Sequence, residues 1–229
     1  ISGQKIITLA YHDMGKLPVQ WISGGAIATT VIARKGDEII LVSLPEGRSR
    51  GEENLASMPI AEVDLANAQQ TVLSDTKDAI KIYEQAVEEW KLLMAAALSG
   101  LSREAIRLAS AYACEREAFG QPIGAYQGIS HPLADLIVDV DAGKYLTWRA
   151  IHDIDKGLPH AAEEISMSIW WAADTAGRAG TQALHTFGGY GLATEYDIHL
   201  YNLRAKGWAL VFGDPQKFLE EAGRRRYGC

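Results

Sequence analysis

Residues Tyr112–Gln127 read YACEREAFGQPIGAYQ, and their character changes twice within one short stretch. As far as Cys114 the segment is a helix with an apolar face. Glu115, Arg116 and Glu117 follow, and then Phe119, Gly120, Gln121, Pro122 and Ile123 form a turn. One reading is a helix C-terminus: Arg116 suits the negative end of the helix dipole, Gly120 can take the left-handed cap conformation, and Pro122 stops continuation. The other makes Arg116 and the turn after it a docking edge for an anionic cofactor.

Upstream of this segment, Leu98, Leu101, Ala105, Leu108 and Tyr112 recur at three- and four-residue steps, which predicts one helical stripe against a core. Downstream, a second helix is expected after Pro132, ending at Gly157 with Pro159 beyond. A third carries Ile165, Ile169, Ala172, Ala176 and Ala183 on one side, and those small residues imply close approach of neighbouring helices or subunits. Shorter helices are expected over Tyr196–Lys206 and Pro215–Arg225. Before Ser74 the signal is strand-like: Ile6–Ala10, Ala26–Ala33 and Glu38–Leu44 are β-branched runs, the last two joined by a turn over Arg34–Asp37. The stretch 46–54 is charged and reads as an exposed loop. The expected fold is therefore α+β, a small β-rich, barrel-like region over 1–73 followed by a four-helix-type bundle over 74–229.

At 229 residues, 48% of them hydrophobic, the chain can bury a sizeable core. Its net charge of -7 argues against general affinity for nucleic acid or an anionic membrane. No apolar run approaches the roughly 18 residues of a membrane span. Two cysteines, Cys114 and Cys229, suit a reducing cytoplasm, and no metal-ligand spacing is present. The chain begins at Ile1 rather than Met, so a fragment or a processed product is expected.

Three segments carry candidate chemistry. The first is Arg116 with Phe119–Ile123, Gln127 and Ser130–Asp135. The second is HTFGGYG, His185–Gly191, whose glycines let a backbone approach a ligand or turn N–H groups toward phosphate. The third is FGDPQ, Phe212–Gln216, where Asp214 before Pro215 is also a strong helix N-cap pattern. Singly, each has a plain structural account: an interhelical turn, a solvated helix-end charge, a cap.

Taken in order, Glu115, Arg116, Phe119, Gly120, Pro122, Ile123, Gln127, His131, Leu133, Asp135, Phe187, Gly188, Gly189, Gly191 and Glu195 resemble the acyl-CoA dehydrogenase family. The resemblance covers about Asp75 to Gln216. It implies the C-terminal helical domain preceded by part of the family's middle β-domain, a place in lipid metabolism, and FAD held across a subunit boundary. On that basis Arg116 contacts the flavin diphosphate of a neighbouring subunit, and Phe119 and Gln127 pack near its adenosine half. Gly188, Gly189 and Gln216 join the cofactor-binding set, with His185 where the family usually has Gln.

The implied reaction is α,β-dehydrogenation of an acyl-CoA thioester, with an electron-transfer flavoprotein as acceptor and a homo- or hetero-oligomeric dimer or tetramer as the working unit. The family's catalytic Glu, however, aligns with Phe212. The alternative position used by some relatives falls at Trp90, beside Glu89. Asp214 is the nearest acid and the candidate base. Three readings follow: a catalytic chain using Asp214 or Glu89, a subunit without a base that completes a partner's flavin site, and a helical interaction domain without cofactor.

Overall fold

The computed structural model describes residues 3, 5–45, 51, 53–54 and 56–228. The loop expected over 46–54 therefore lies mostly outside the described residues, as does Cys229. Two compact units divide the chain, residues 1–89 and 90–229.

The first unit is built on two small sheets. Strands β1 (Ile7–Leu9), β3 (Thr30–Lys35), β4 (Glu38–Ser43) and β6 (Gln69–Ser74) form one, in the order β1-β3-β4-β6, while β2 (Val19–Ile22) pairs with β5 (Ala61–Asp64). β1 runs parallel to β3, and the other pairs are antiparallel. The expected hairpin is present: Lys35 pairs with Glu38 across a two-residue loop, where Gly36 takes φ 61 as such loops demand. Strand alternation sends Val31, Ala33, Ile40 and Val42 to a core shared with Ile22, Val63 and Leu65. Ile32 and Ile39 point the other way, onto Tyr83 and Val87 from the first turns of α1 (Lys77–Glu115). No closed barrel is present among the described residues.

Tyr83 is buried, its hydroxyl donates to the Ala10 carbonyl, and burial pushes its pKa from 10.0 up to about 12, with Arg34 opposing. Because the folded pKa is the higher, the unfolded chain loses the proton first. Stability is complete below about pH 10 and falls as pH rises toward about 12, by roughly 2–3 kcal/mol. Denaturant midpoints measured across that window should show this loss in the wild-type chain and not in Tyr83→Phe.

The second unit is helical. After α1 come a hairpin of β7 (Glu117–Ala118) and β8 (Gln121–Pro122), then α2 (Gln127–Asp155), α3 (Ala161–Phe187), α4 (Ile198–Ala209) and α5 (Gln216–Tyr227). α3 is the central element, packing on α2, α4 and α5. Its small residues explain the α4 contact: a Cβ on Gly180 would lie 3.1 Å from the Asn202 Cα and 3.2 Å from the Ala205 Cβ. Trp171 ties α3 to α2 by donating to the Asp139 carbonyl at 2.8 Å, and Thr147 and Ser168 share a buried hydroxyl pair at 2.9 Å.

Two local expectations need correction. α2 starts at Gln127, not after Pro132, which lies inside the helix. The Tyr126 carbonyl accepts from the N–H groups of Ile129 and Ser130 and from the Ser130 hydroxyl, so the first turn is organised upstream of the proline. Gly120 has positive φ, 84°, yet serves in the hairpin loop rather than as a helix cap, since α1 already ends at Glu115. No described helix is long and apolar enough to cross a membrane, and no described cluster of His, Cys, Asp and Glu could hold a metal ion.

Candidate functional site

Arg116 is the first residue past α1. Its N–H closes the last helical turn on the Tyr112 carbonyl at 2.8 Å, and its own carbonyl accepts from Ile123 N–H at 2.8 Å. The backbone on either side is thus held, while the side chain is exposed. The hairpin beyond it has a two-residue loop, Phe119 at φ 54 and Gly120 at φ 84. A left-handed Phe is costly, about 1–2 kcal/mol. Pairing of Glu117 with Pro122 and of Ala118 with Gln121, together with the Tyr126 hydroxyl donating to the Ala118 carbonyl at 2.9 Å, keeps it there. The result is an aromatic side chain that is 98% exposed. Gln127 opens α2 a few residues further on and is also exposed.

The glycine-rich segment meets this end of α1. α3 stops at Phe187, and Gly188 leaves it with φ 60 and ψ -138, a conformation that side chains disfavour. The 3-10 turn Gly188–Leu192 follows. Space is open beside both glycines: a Cβ at Gly188 or Gly189 would find nothing within 4 Å. His185 is exposed near the end of α3, and its carbonyl accepts from Gly188 N–H. The Arg116 guanidinium carbon lies 5.4 Å from the Tyr190 ring centroid, so the structure brings together two segments far apart in sequence.

The third segment belongs elsewhere. Phe212 is 3% exposed and meets Trp90 edge to face, with centroids 4.6 Å apart and planes at 68°, and Phe218 lies behind it at 6.0 Å. Asp214 and Gln216 are exposed, and Asp214 Oδ1 accepts from Gln216 N–H at 2.9 Å, as a helix-capping side chain does. Beside this aromatic group Lys91, 2% exposed, donates to both Glu221 carboxylate oxygens at 3.2 and 3.0 Å. Ser166 Oγ also donates to Glu221, and Arg225 is paired with it at 2.8 Å, which fastens α5 to α1 and α3. With roughly 1.5 Å of rise per residue, Trp90 and the end of α1 at Glu115 are about 38 Å apart along the helix.

The reading from sequence missed Tyr190 and the Lys91–Glu221 pair. Lys91 carried a legible signal, since it stands at helical spacing between Val87 and Ala95, both buried. Of the larger described cavities, one takes Ser130, Leu133 and Ala134 of the first candidate segment into its lining. It measures about 690 Å³ and lies between α1 and α2, floored by Ile106, Ala113 and Leu133, and another of about 630 Å³ lies in the first unit beside Trp21 and Val63. Neither lining includes Arg116, Gly188, Gly189 or Asp214. An open cation beside glycines is a place for an extended anionic ligand rather than an enclosed one.

Comparison with known proteins shows what the chain as a whole is similar to. The family described as acyl-CoA dehydrogenase, C-terminal domain, matches residues 80–224. The chain is 25% identical over 226 residues to the acyl-CoA dehydrogenase IpdE2 of Mycolicibacterium smegmatis, covering 96% of this chain and 71% of that protein. It is 29% identical over 215 residues to the benzylmalonyl-CoA dehydrogenase of Aromatoleum aromaticum, covering 87% of this chain and 56% of that one, so it spans only about half of that relative's length. Among solved structures, the ChsE4-ChsE5 complex from Mycobacterium tuberculosis superposes with a TM-score of 0.80 at 22% identity, over 100% of this chain and 68% of that one.

Proposed function

Since this chain belongs to the acyl-CoA dehydrogenase family, we propose that it completes the FAD site of an acyl-CoA-oxidising assembly, with the proton-abstracting carboxylate supplied by another chain. The observation that carries this reading is the contact between Phe212 and Trp90. These are the two positions at which the resemblance puts a base, and here they are aromatic and packed on each other, so neither can take a proton. Asp214, the nearest acid, has its carboxylate engaged in the helix cap.

The residues at the other end fit the cofactor. Arg116 forms no ion pair among the described residues, so its planar fork is free for a diphosphate, and Gly188 and Gly189 have open space for a ligand against their backbone. When bound, FAD supplies the hydride acceptor for dehydrogenation of the acyl thioester. Arg116 would hold the diphosphate, the glycine turn would lie against the adenosine end, and Phe119 would cover it. The span of about 38 Å along α1 exceeds the reach of one dinucleotide, so the Arg116 end and the Phe212 end serve different flavins. That favours a site shared between chains, and a fully exposed Phe119 is what such sharing requires. The ChsE4-ChsE5 complex, by its name an assembly of two kinds of chain, is one precedent for such an arrangement on this fold. An electron-transfer flavoprotein is the proposed acceptor.

The full-length protein, purified with any partner chain, should be yellow and should bleach anaerobically with an acyl-CoA thioester from a panel. Asp214→Asn should leave the bleaching rate within about twofold, because Asn caps a helix nearly as well as Asp. A colourless protein that ignores added FAD and every thioester would overturn the flavin reading. Loss of bleaching in Asp214→Asn with FAD still bound would instead make this chain the catalytic one.

A further inference from the structure

We infer that Tyr190 is a positioning residue for Arg116, holding the guanidinium against the glycine turn so that the cation is aimed before a diphosphate arrives. The inference rests on the flavin reading above and adds to it a residue whose part that reading leaves open. An exposed Arg ordinarily wanders, and fixing it costs rotamer entropy. Two carboxylates, Glu115 and Glu117, flank Arg116 in sequence, yet neither pairs with it among the described residues. Its described side-chain partner is the Tyr190 ring, 5.4 Å away and within cation–π range.

The choice of partner matters chemically. A carboxylate would neutralise the charge and occupy the N–H donors. An aromatic face steadies the cation through its quadrupole and leaves those donors pointing outward for phosphate oxygens. The platform is itself braced. Tyr190 meets Tyr196 at 5.9 Å, and Tyr196 meets Phe187 at 5.5 Å and Tyr112 at 6.2 Å. Tyr112 and Phe187 are stacked at 4.1 Å. One ring set therefore joins the end of α1, the end of α3 and the approach to α4, and its outermost member, about half exposed, lies beneath the guanidinium.

FAD affinity of the full-length protein with any partner chain, measured by flavin fluorescence, tests this. Tyr190→Leu should weaken FAD binding by roughly three- to tenfold, the worth of a partly exposed cation–π contact. Tyr190→Phe, which keeps the ring, should bind within about twofold of wild type. In an Arg116→Ala background, Tyr190→Leu should have no further effect. Wild-type affinity in Tyr190→Leu alongside a loss in Arg116→Ala would overturn the positioning role and spare the flavin reading, as would a loss in Tyr190→Leu of the same size in both backgrounds. No FAD binding by the wild-type protein would overturn the flavin reading and this inference with it. Circular dichroism melting of each variant separates a folding defect from a binding one, and Tyr190→Phe keeps the test decisive if Tyr190→Leu melts early.

Discussion

Phe212→Ala is expected to cost the helical unit about 3–5 kcal/mol, the usual range for emptying a buried aromatic site. The side chain is 3% exposed and stands between Trp90, edge to face at 4.6 Å, and Phe218, itself 2% exposed. Truncation forfeits the transfer energy of the ring and its aromatic contacts with Trp90 and Phe218, and it leaves a void beside α5, which the Lys91–Glu221 pair anchors. A urea titration followed by circular dichroism reads the effect. A loss under about 1 kcal/mol would mean that Phe212 lines an open chamber instead of a sealed core. The same change should not create dehydrogenation activity, because an emptied aromatic site contains no group to accept a proton.

Arg116→Ala should lower FAD affinity roughly ten- to a hundredfold, the worth of charge-assisted hydrogen bonds to a diphosphate. Stability should hardly change, since the side chain is exposed and forms no ion pair among the described residues. Arg116→Lys should recover only part of the affinity: an ammonium keeps the charge and loses the planar pair of donors. Added salt should weaken FAD binding in wild type more than in Arg116→Ala, because screening acts on the interaction the variant lacks. Equal affinities across the three proteins would remove Arg116 from the cofactor site.

Much of the helical unit was legible because helix signals are local. The stripe of Leu98, Leu101 and Ala105 is buried as its spacing requires, and the β3–β4 hairpin stands where two β-branched runs meet a Gly-containing turn. Less was legible where an element draws its stability from distant chain. β2, β5 and β6 read VQWI, AEVD and QQTVLS, short and mixed in polarity, and they are strands because partners far away in sequence complete their hydrogen bonds. The start of α2 was misjudged for a related reason: the rule for proline describes where a helix tolerates it, while the Tyr126 carbonyl decided where this helix begins.

The sequence by itself determined the class of fold, because composition and periodicity are local, and it carried the ordered motifs by which the chain resembles its family, a resemblance that puts Phe212 and Trp90 where a base would be expected. Only the tertiary structure decided that Arg116 rests on Tyr190 beside the glycine turn, that Phe212 closes on Trp90, and that Lys91 is buried against Glu221. Each of these pairs joins segments distant along the chain. Whether a cation is free or neutralised, or an aromatic is core or cavity wall, depends on what the folded chain brings within a few ångströms, and no local pattern records that.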